Sequence, residues 1–219
     1  MKKCVSTCIF FPNNKINKYD KVFLTIPLTM NLLPDFDLLI YYDESVPNYM
    51  IEEYKKFNFI KLIKKEKSLN RSGCFWRYEA YNDYDFCYFR DIDVSIEEND
   101  IQIINHFLNS EKNICWVFLV HARKSYPKQG FVMGGVFGIK KNNKIIMNEL
   151  LNSWENKAYY GSDEEFLSLK LYNLCNPICY YEPRKCVKDN VKLKNDFEEY
   201  FELEKNFELK LYNLNNTKN

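Results

Sequence analysis

The strongest chemical signal in this 219-residue chain lies in Tyr84-Asp85-Phe86-Cys87-Tyr88-Phe89-Arg90-Asp91-Ile92-Asp93. An apolar and aromatic run with the character of a buried strand ends in two acids one residue apart, where uncompensated charge is costly. Strand alternation sets Asp91 and Asp93 on one face. Two carboxylates so placed suit a hard divalent ion, because magnesium and manganese are held by one or two such groups together with phosphate oxygens. Alone, an Asp-x-Asp pair is more often a solvated strand end with Asp93 capping the next segment; here the neighbouring residues favour the metal.

Those neighbours have chemistry of their own. Arg71 and Arg77 carry planar guanidinium forks that reach a diphosphate or stack on a base, or else pair with Glu79 or Asp83 on a helix surface. Arg90, beside the two acids, offsets their mutual repulsion. Gly134, Gly135 and Gly138 place half of the chain's six glycines within five residues, which points to a bulge or to a close approach of backbone and ligand. Asp163 stands near a helix start, either as a first-turn acid favoured by the helix dipole or as a carboxylate able to take a proton from a hydroxyl. Glu164 and Glu165 share that second role. His121 follows a strand and is placed to contact phosphate or acceptor, whereas His106 falls on an apolar helical face and reads as a packed core residue.

Composition narrows the class. With 31 basic and 30 acidic residues the net charge is +1, so no bulk field draws the chain to nucleic acid. Its size allows a sizeable core, and 17% aromatics with few Gly and Pro exclude a low-complexity protein. The eight cysteines lie mostly inside apolar runs and read as reduced core thiols. Zinc ligation by Cys4 and Cys8, or by Cys175, Cys179 and Cys186, does not match the usual paired spacing. The segment after Met1-Lys2-Lys3 is too short and polar for a signal peptide, and no apolar run approaches the roughly 20 residues that span a bilayer. The expected location is cytoplasmic.

The elements that must position these residues alternate. Strands are expected over 4–11, 37–42, 59–63, around Phe86, and over 114–120, 131–139 and 178–181. Helices are expected over 47–57, 72–82, 97–108 (capped by Ser95), 144–154 and 162–173. Alternating βαβ units imply an α/β fold with a mostly parallel, doubly wound sheet flanked by helices. In such a sheet ligands bind at the carboxyl ends of the strands, where Asp91 and Asp93 fall. Residues 1–190 read as one catalytic domain and 191–219 as a small C-terminal element appended to it.

Three blocks succeed one another along the chain: Arg71-Ser72-Gly73-Cys74-Phe75-Trp76-Arg77-Tyr78, then Phe89-Arg90-Asp91-Ile92-Asp93, then Gly134-Gly135-Val136-Phe137-Gly138 with Tyr160-Gly161-Ser162-Asp163-Glu164-Glu165 after it. In their order and spacing they resemble the GT-A glycosyltransferases, in particular capsule and lipopolysaccharide-type sugar transferases with an Arg-Asp-x-Asp motif. The resemblance covers roughly residues 70–170. It implies a GT-A, Rossmann-like domain that moves a sugar from a nucleotide-sugar donor to a glycan or other hydroxyl acceptor. It also implies a metal and the donor diphosphate on Asp91 and Asp93, with the Gly134-Gly135 strand and the Asp163 block facing sugar and acceptor; the residue chemistry above adds Mn²⁺ or Mg²⁺ as the metal, Arg71 and Arg77 as donor contacts, and Asp163 as the candidate catalytic base. A late His that often serves as a further metal ligand is missing, since no His follows His121; Asp189, Glu182 or water is left to complete the shell. The competing readings are a catalytically inactive GT-A-like binding module and a nucleotidyltransferase, though the latter normally carries a Gly-Ser turn ahead of its acids and none precedes Asp91.

Overall fold

The computed structural model describes residues 1–11, 19–67, 72–119, 134–155 and 159–182, with the backbone alone described at 116–119 and 177–182. Seven strands form one sheet: β1 (Lys3–Ile9), β2 (Phe36–Tyr42), β3 (Ile60–Lys64), β4 (Phe86–Arg90), β5 (Ile114–Leu119), β6 (Val136–Lys140) and β7 (Pro177–Glu182). Their order is β3-β2-β1-β4-β6-β5-β7. All pairings are parallel except those of β6, which runs antiparallel to both β4 and β5.

Alternation along the strands sorts the core into two layers. Val5, Leu38, Ile40, Phe86 and Tyr88 face one side, where they meet α1 (Thr25–Thr29), α2 (Asn48–Lys55) and α3 (Glu98–Asn109) through Ile26, Met50, Tyr54, Ile104 and Phe107. Cys4, Leu39, Tyr41, Cys87 and Phe89 face the other side. They pack on a 3₁₀ helix over Ser72–Asn82, on α4 (Met147–Asn152), and on α5 (Ser162–Phe166) with the π turn Leu167–Leu171 that continues it.

The segment over 72–82 has the expected bounds but a tighter helix type. Residues three apart eclipse in a 3₁₀ helix, and Phe75, Tyr78 and Tyr81 form such a buried row beside Cys74, Arg77 and Ala80. Three further expectations are corrected. The cap of α3 is Glu97, not Ser95: Glu97 and Asp100 form a capping box, with the Glu97 amide donating to Asp100 Oδ2 at 2.8 Å. His106 is exposed rather than packed, because the buried stripe of α3 runs through Asp100, Ile103, Ile104 and Phe107. The expected helix over 162–173 breaks into α5, the π turn and a short 3₁₀ turn at Tyr172–Leu174.

The antiparallel course of β6 decides which residues meet at the sheet edge. Strands β1, β2 and β4 end on that edge, and β6 begins there. Its register pairs Arg90 with Val136, and the Asp91 amide donates to the Gly135 carbonyl at 3.2 Å. Gly134 and Gly135 are therefore delivered to Asp91.

Candidate active site

Strand β4 stops at Arg90, so the two acids do not share a strand face. Asp91 opens a turn in which the Val94 amide donates to the Asp91 carbonyl at 3.1 Å. Ile92 is buried between the acids, Asp91 is exposed and Asp93 is half-buried. Alternation acts one residue earlier: it sends Arg90 to the α3 side of the sheet and Asp91 to the 3₁₀-helix side.

Arg90 thus turns away from the acids it was expected to balance. Its guanidinium, 2% exposed, lies 3.1 Å from Asp100 Oδ1 and donates to the Ser95 carbonyl at 2.5 Å, while the Tyr88 hydroxyl donates to Asp100 Oδ1 at 2.5 Å. This network braces the loop carrying Asp91 and Asp93 against α3. The sequence signal for it was Asp100 three residues into a helix, a position that reads only as surface charge.

Arg77 is the cation of the site. Its side chain is 3% exposed; Nη1 donates to Asp91 Oδ1 at 2.7 Å and Nη2 to Asp163 Oδ2 at 2.8 Å. Neither Glu79 nor Asp83 takes it, and Glu79 pairs instead with Lys65 at 2.8 Å. Burial by itself would disfavour the charged guanidinium, but the Asp91 and Asp163 carboxylates outweigh it and hold the group well above its ordinary pKa. Tyr78 stands at the centre of an aromatic nest, stacked on Phe166 and edge-on to Phe89, with its hydroxyl 3.4 Å from Asp163 Oδ2. Burial pushes that hydroxyl far toward its protonated form, so it faces the carboxylate as a donor.

Asp163 reaches this cluster because α5 starts where it does. Gly161, at φ 84°, sits in the left-handed region that glycine adopts freely and turns the chain into the helix, while Trp154 Nε1 donates to Ser162 Oγ at 3.0 Å to hold the helix start. Of the three consecutive acids Asp163 faces Arg77, and Glu165 accepts from the Tyr159 hydroxyl. The glycines are explained by the same geometry. A Cβ on Gly134 would lie 2.5 Å from Asp163 Oδ2 and 2.9 Å from Arg77 Nη2, and one on Gly135 would fall on the Asp91 carboxylate.

Two residues at this edge escaped sequence reasoning. Asp43, at the end of β2, is 2% exposed; it accepts from the Ser45 amide at 2.9 Å and from the Ser45 hydroxyl, which in turn accepts from the Phe11 amide at 2.8 Å. An apolar run ending in an acid was the available signal, the same one that marks β4. Tyr19, half-buried, has its hydroxyl pushed up to about 12 by burial and by the nearby Asp93 and Asp91 carboxylates. Nothing in its spacing announced it. Arg71, His121 and Asp189 lie outside the described residues, as does the whole of 191–219, and of Glu182 only the backbone is described.

Asp91 Oδ1, on a side chain that is 54% exposed, is held by Arg77. Among the described residues no group of three or more His, Cys, Asp or Glu converges on a metal position. A pair of carboxylates completed by phosphate oxygens and water is nonetheless the usual arrangement for magnesium.

No protein-family model and no curated protein matches the sequence. Solved structures do match. S. aureus TarS 1–349 in complex with UDP-GlcNAc superposes with a TM-score of 0.54 at 14% identity over 93% of this chain and 65% of that one; another crystal structure of TarS 1–349 gives 0.53 at 16% over 84% and 59%. The chain shares their fold. A Bacillus anthracis structure assigned as a glucose-1-phosphate thymidylyltransferase, in complex with sucrose, shares it with a TM-score of 0.52 at 7% identity over 84% of this chain and 87% of that one. The chain spans 59–65% of the length of those TarS structures. Among the described residues no helix is long and apolar enough to cross a membrane.

Proposed function

We propose that the chain is a metal-dependent glycosyltransferase that moves a sugar from a nucleotide-sugar to a hydroxyl of a glycan or related acceptor. The observation that carries this reading is the convergence on Arg77 of two carboxylates with different surroundings, Asp91 at the end of β4 and Asp163 at the start of α5. Asp91 and Asp93 would hold Mn²⁺ or Mg²⁺, which when bound neutralises the charge developing on the departing nucleoside diphosphate. Gly134 and Gly135 keep the backbone close enough for the two acids to stand where they do. Asp163 accepts the proton of the attacking hydroxyl as the bond from the sugar's anomeric carbon to the diphosphate oxygen breaks and the bond to the acceptor oxygen forms. Arg77 serves the donor side through Asp91, and Arg71 adds a second cation for the diphosphate.

A panel of UDP-, GDP- and dTDP-sugars, incubated with and without manganese, tests the proposal. Release of sugar from at least one donor only when manganese is present is the expected result. Failure to hydrolyse or transfer from any donor, with nucleotide still bound, would instead mark a binding module.

A further inference from the structure

A buried arginine fork shared by two carboxylates links whatever those carboxylates do. Arg77 is held at both ends: the Ser6 hydroxyl donates to its backbone carbonyl at 2.8 Å, and its two terminal nitrogens are taken by Asp91 and Asp163. The partners differ in exposure, 54% for the Asp91 side chain against 14% for Asp163. The Gly134 backbone lies so close that a Cβ there would overlap Arg77 and Asp163 together. A planar group with nitrogens in fixed relation cannot shift on one oxygen without shifting on the other.

We propose that Arg77 is a positioning residue that couples the donor carboxylate Asp91 to the acceptor-side carboxylate Asp163; this rests on the glycosyltransferase reading. A cation arriving at Asp91 competes with Arg77 for that carboxylate, and the guanidinium settles more fully on Asp163, fixing the proton acceptor once the donor side is occupied. Coupling between two binding events is reciprocal. Removing the charge of Asp163 therefore leaves Arg77 pulling on Asp91 alone and weakens cation binding there.

The test is a double-mutant cycle read by Mn²⁺ affinity, measured with Mn²⁺ alone by electron paramagnetic resonance and with Mn²⁺ plus UDP by calorimetry. In the otherwise unmodified chain, Asp163→Asn is expected to weaken binding by about three- to tenfold. In the Arg77→Met background the same change is expected to have no further effect. Arg77→Lys provides a second background that keeps the buried charge but lacks the fork, and it decides alone if Arg77→Met does not fold by circular dichroism. An equal effect of Asp163→Asn in every background overturns the coupling and leaves the functional reading standing. Absence of Mn²⁺ binding to the unmodified chain overturns both.

Discussion

Alanine at Gly135 would place a methyl group on the Asp91 carboxylate, and the consequence depends on what that carboxylate can do. It ends a short side chain that is 54% exposed, so it can swing into solvent rather than strain the sheet. The stability lost is then that of one of the two carboxylate contacts of the buried Arg77, which keeps Asp163; this is worth about 1–3 kcal/mol, or about 2–12 °C in melting temperature for a chain of this size. A functional loss is added to it, because the proposed metal ligand has been turned away; misoriented ligands cost about 10–100-fold in metal affinity. Two other glycines serve as controls. A Cβ on Gly134 meets Asp163, Arg77 and the Tyr78 hydroxyl inside a buried cluster, so Gly134→Ala should cost about 1–3 kcal/mol of overpacking as well as activity. A Cβ on Gly138 meets Phe86 at 2.9 Å and Cys115 Sγ at 3.0 Å within the sheet, so Gly138→Ala should lower stability with manganese affinity per folded molecule unchanged. Differential scanning fluorimetry and calorimetric titration of Mn²⁺ with UDP on the three variants give the comparison. Gly135→Ala with unmodified manganese affinity, or with affinity falling only in proportion to stability, would refute the reasoning.

Asp93→Ala is expected to abolish manganese-dependent binding of nucleoside diphosphate while leaving the melting temperature within about 2 °C, since Asp93 is a half-buried turn residue and not part of the core; calorimetry and a thermal melt check both halves. Asp163→Asn should reduce transfer to an acceptor by about 10²–10⁴-fold, the range for loss of a general base, with metal-dependent nucleotide binding still measurable. Full transfer by that variant would move the role to Glu164 or Glu165. Asp100→Ala should destabilise the chain by about 3–5 kcal/mol in urea unfolding, because it strips the buried Arg90 of its carboxylate and the Tyr88 hydroxyl of its acceptor; a loss below about 1 kcal/mol would mean that the network does not brace the loop.

The parts of the fold legible in the sequence are those governed by local pattern. Alternation and apolar runs placed the strands β1 to β4 within a residue or two, and Pro47 marked the start of α2. Where pairing partners decide, the sequence was silent. Nothing local says that β6 runs antiparallel between β4 and β5, yet that reversal brings Gly134 and Gly135 to Asp91. For the same reason the glycines were legible as a close approach but not as one to the chain's own carboxylates. Arg77 and Asp163 could be nominated singly, whereas their pairing crosses 86 positions and depends on how the 3₁₀ helix and α5 pack on one face. Asp43 shows the opposite case: its signal, an acid closing an apolar strand, was present and was used only for β4.

The fold itself does not choose between sugar transfer and nucleotidyl transfer, since a TarS structure bound to UDP-GlcNAc and a structure assigned as a thymidylyltransferase share it to nearly the same degree. The charges at the site favour the proposed sugar transfer. Nucleotidyl transfer brings a sugar phosphate, itself an anion, against the nucleotide phosphates, so a site for it gains from cations facing both phosphates. Among the described residues, the edge of the sheet carries Asp43, Asp91, Asp93 and Asp163, and the buried Arg77 is already committed to two of them. In the proposed transfer one divalent ion on Asp91 and Asp93 would serve a diphosphate leaving group, whereas Asp163 would repel an incoming phosphate and could take a proton from an incoming hydroxyl. Under the proposed sugar transfer, this distribution of charge among the described residues favours an uncharged acceptor, and a hydroxyl is the acceptor which that transfer requires.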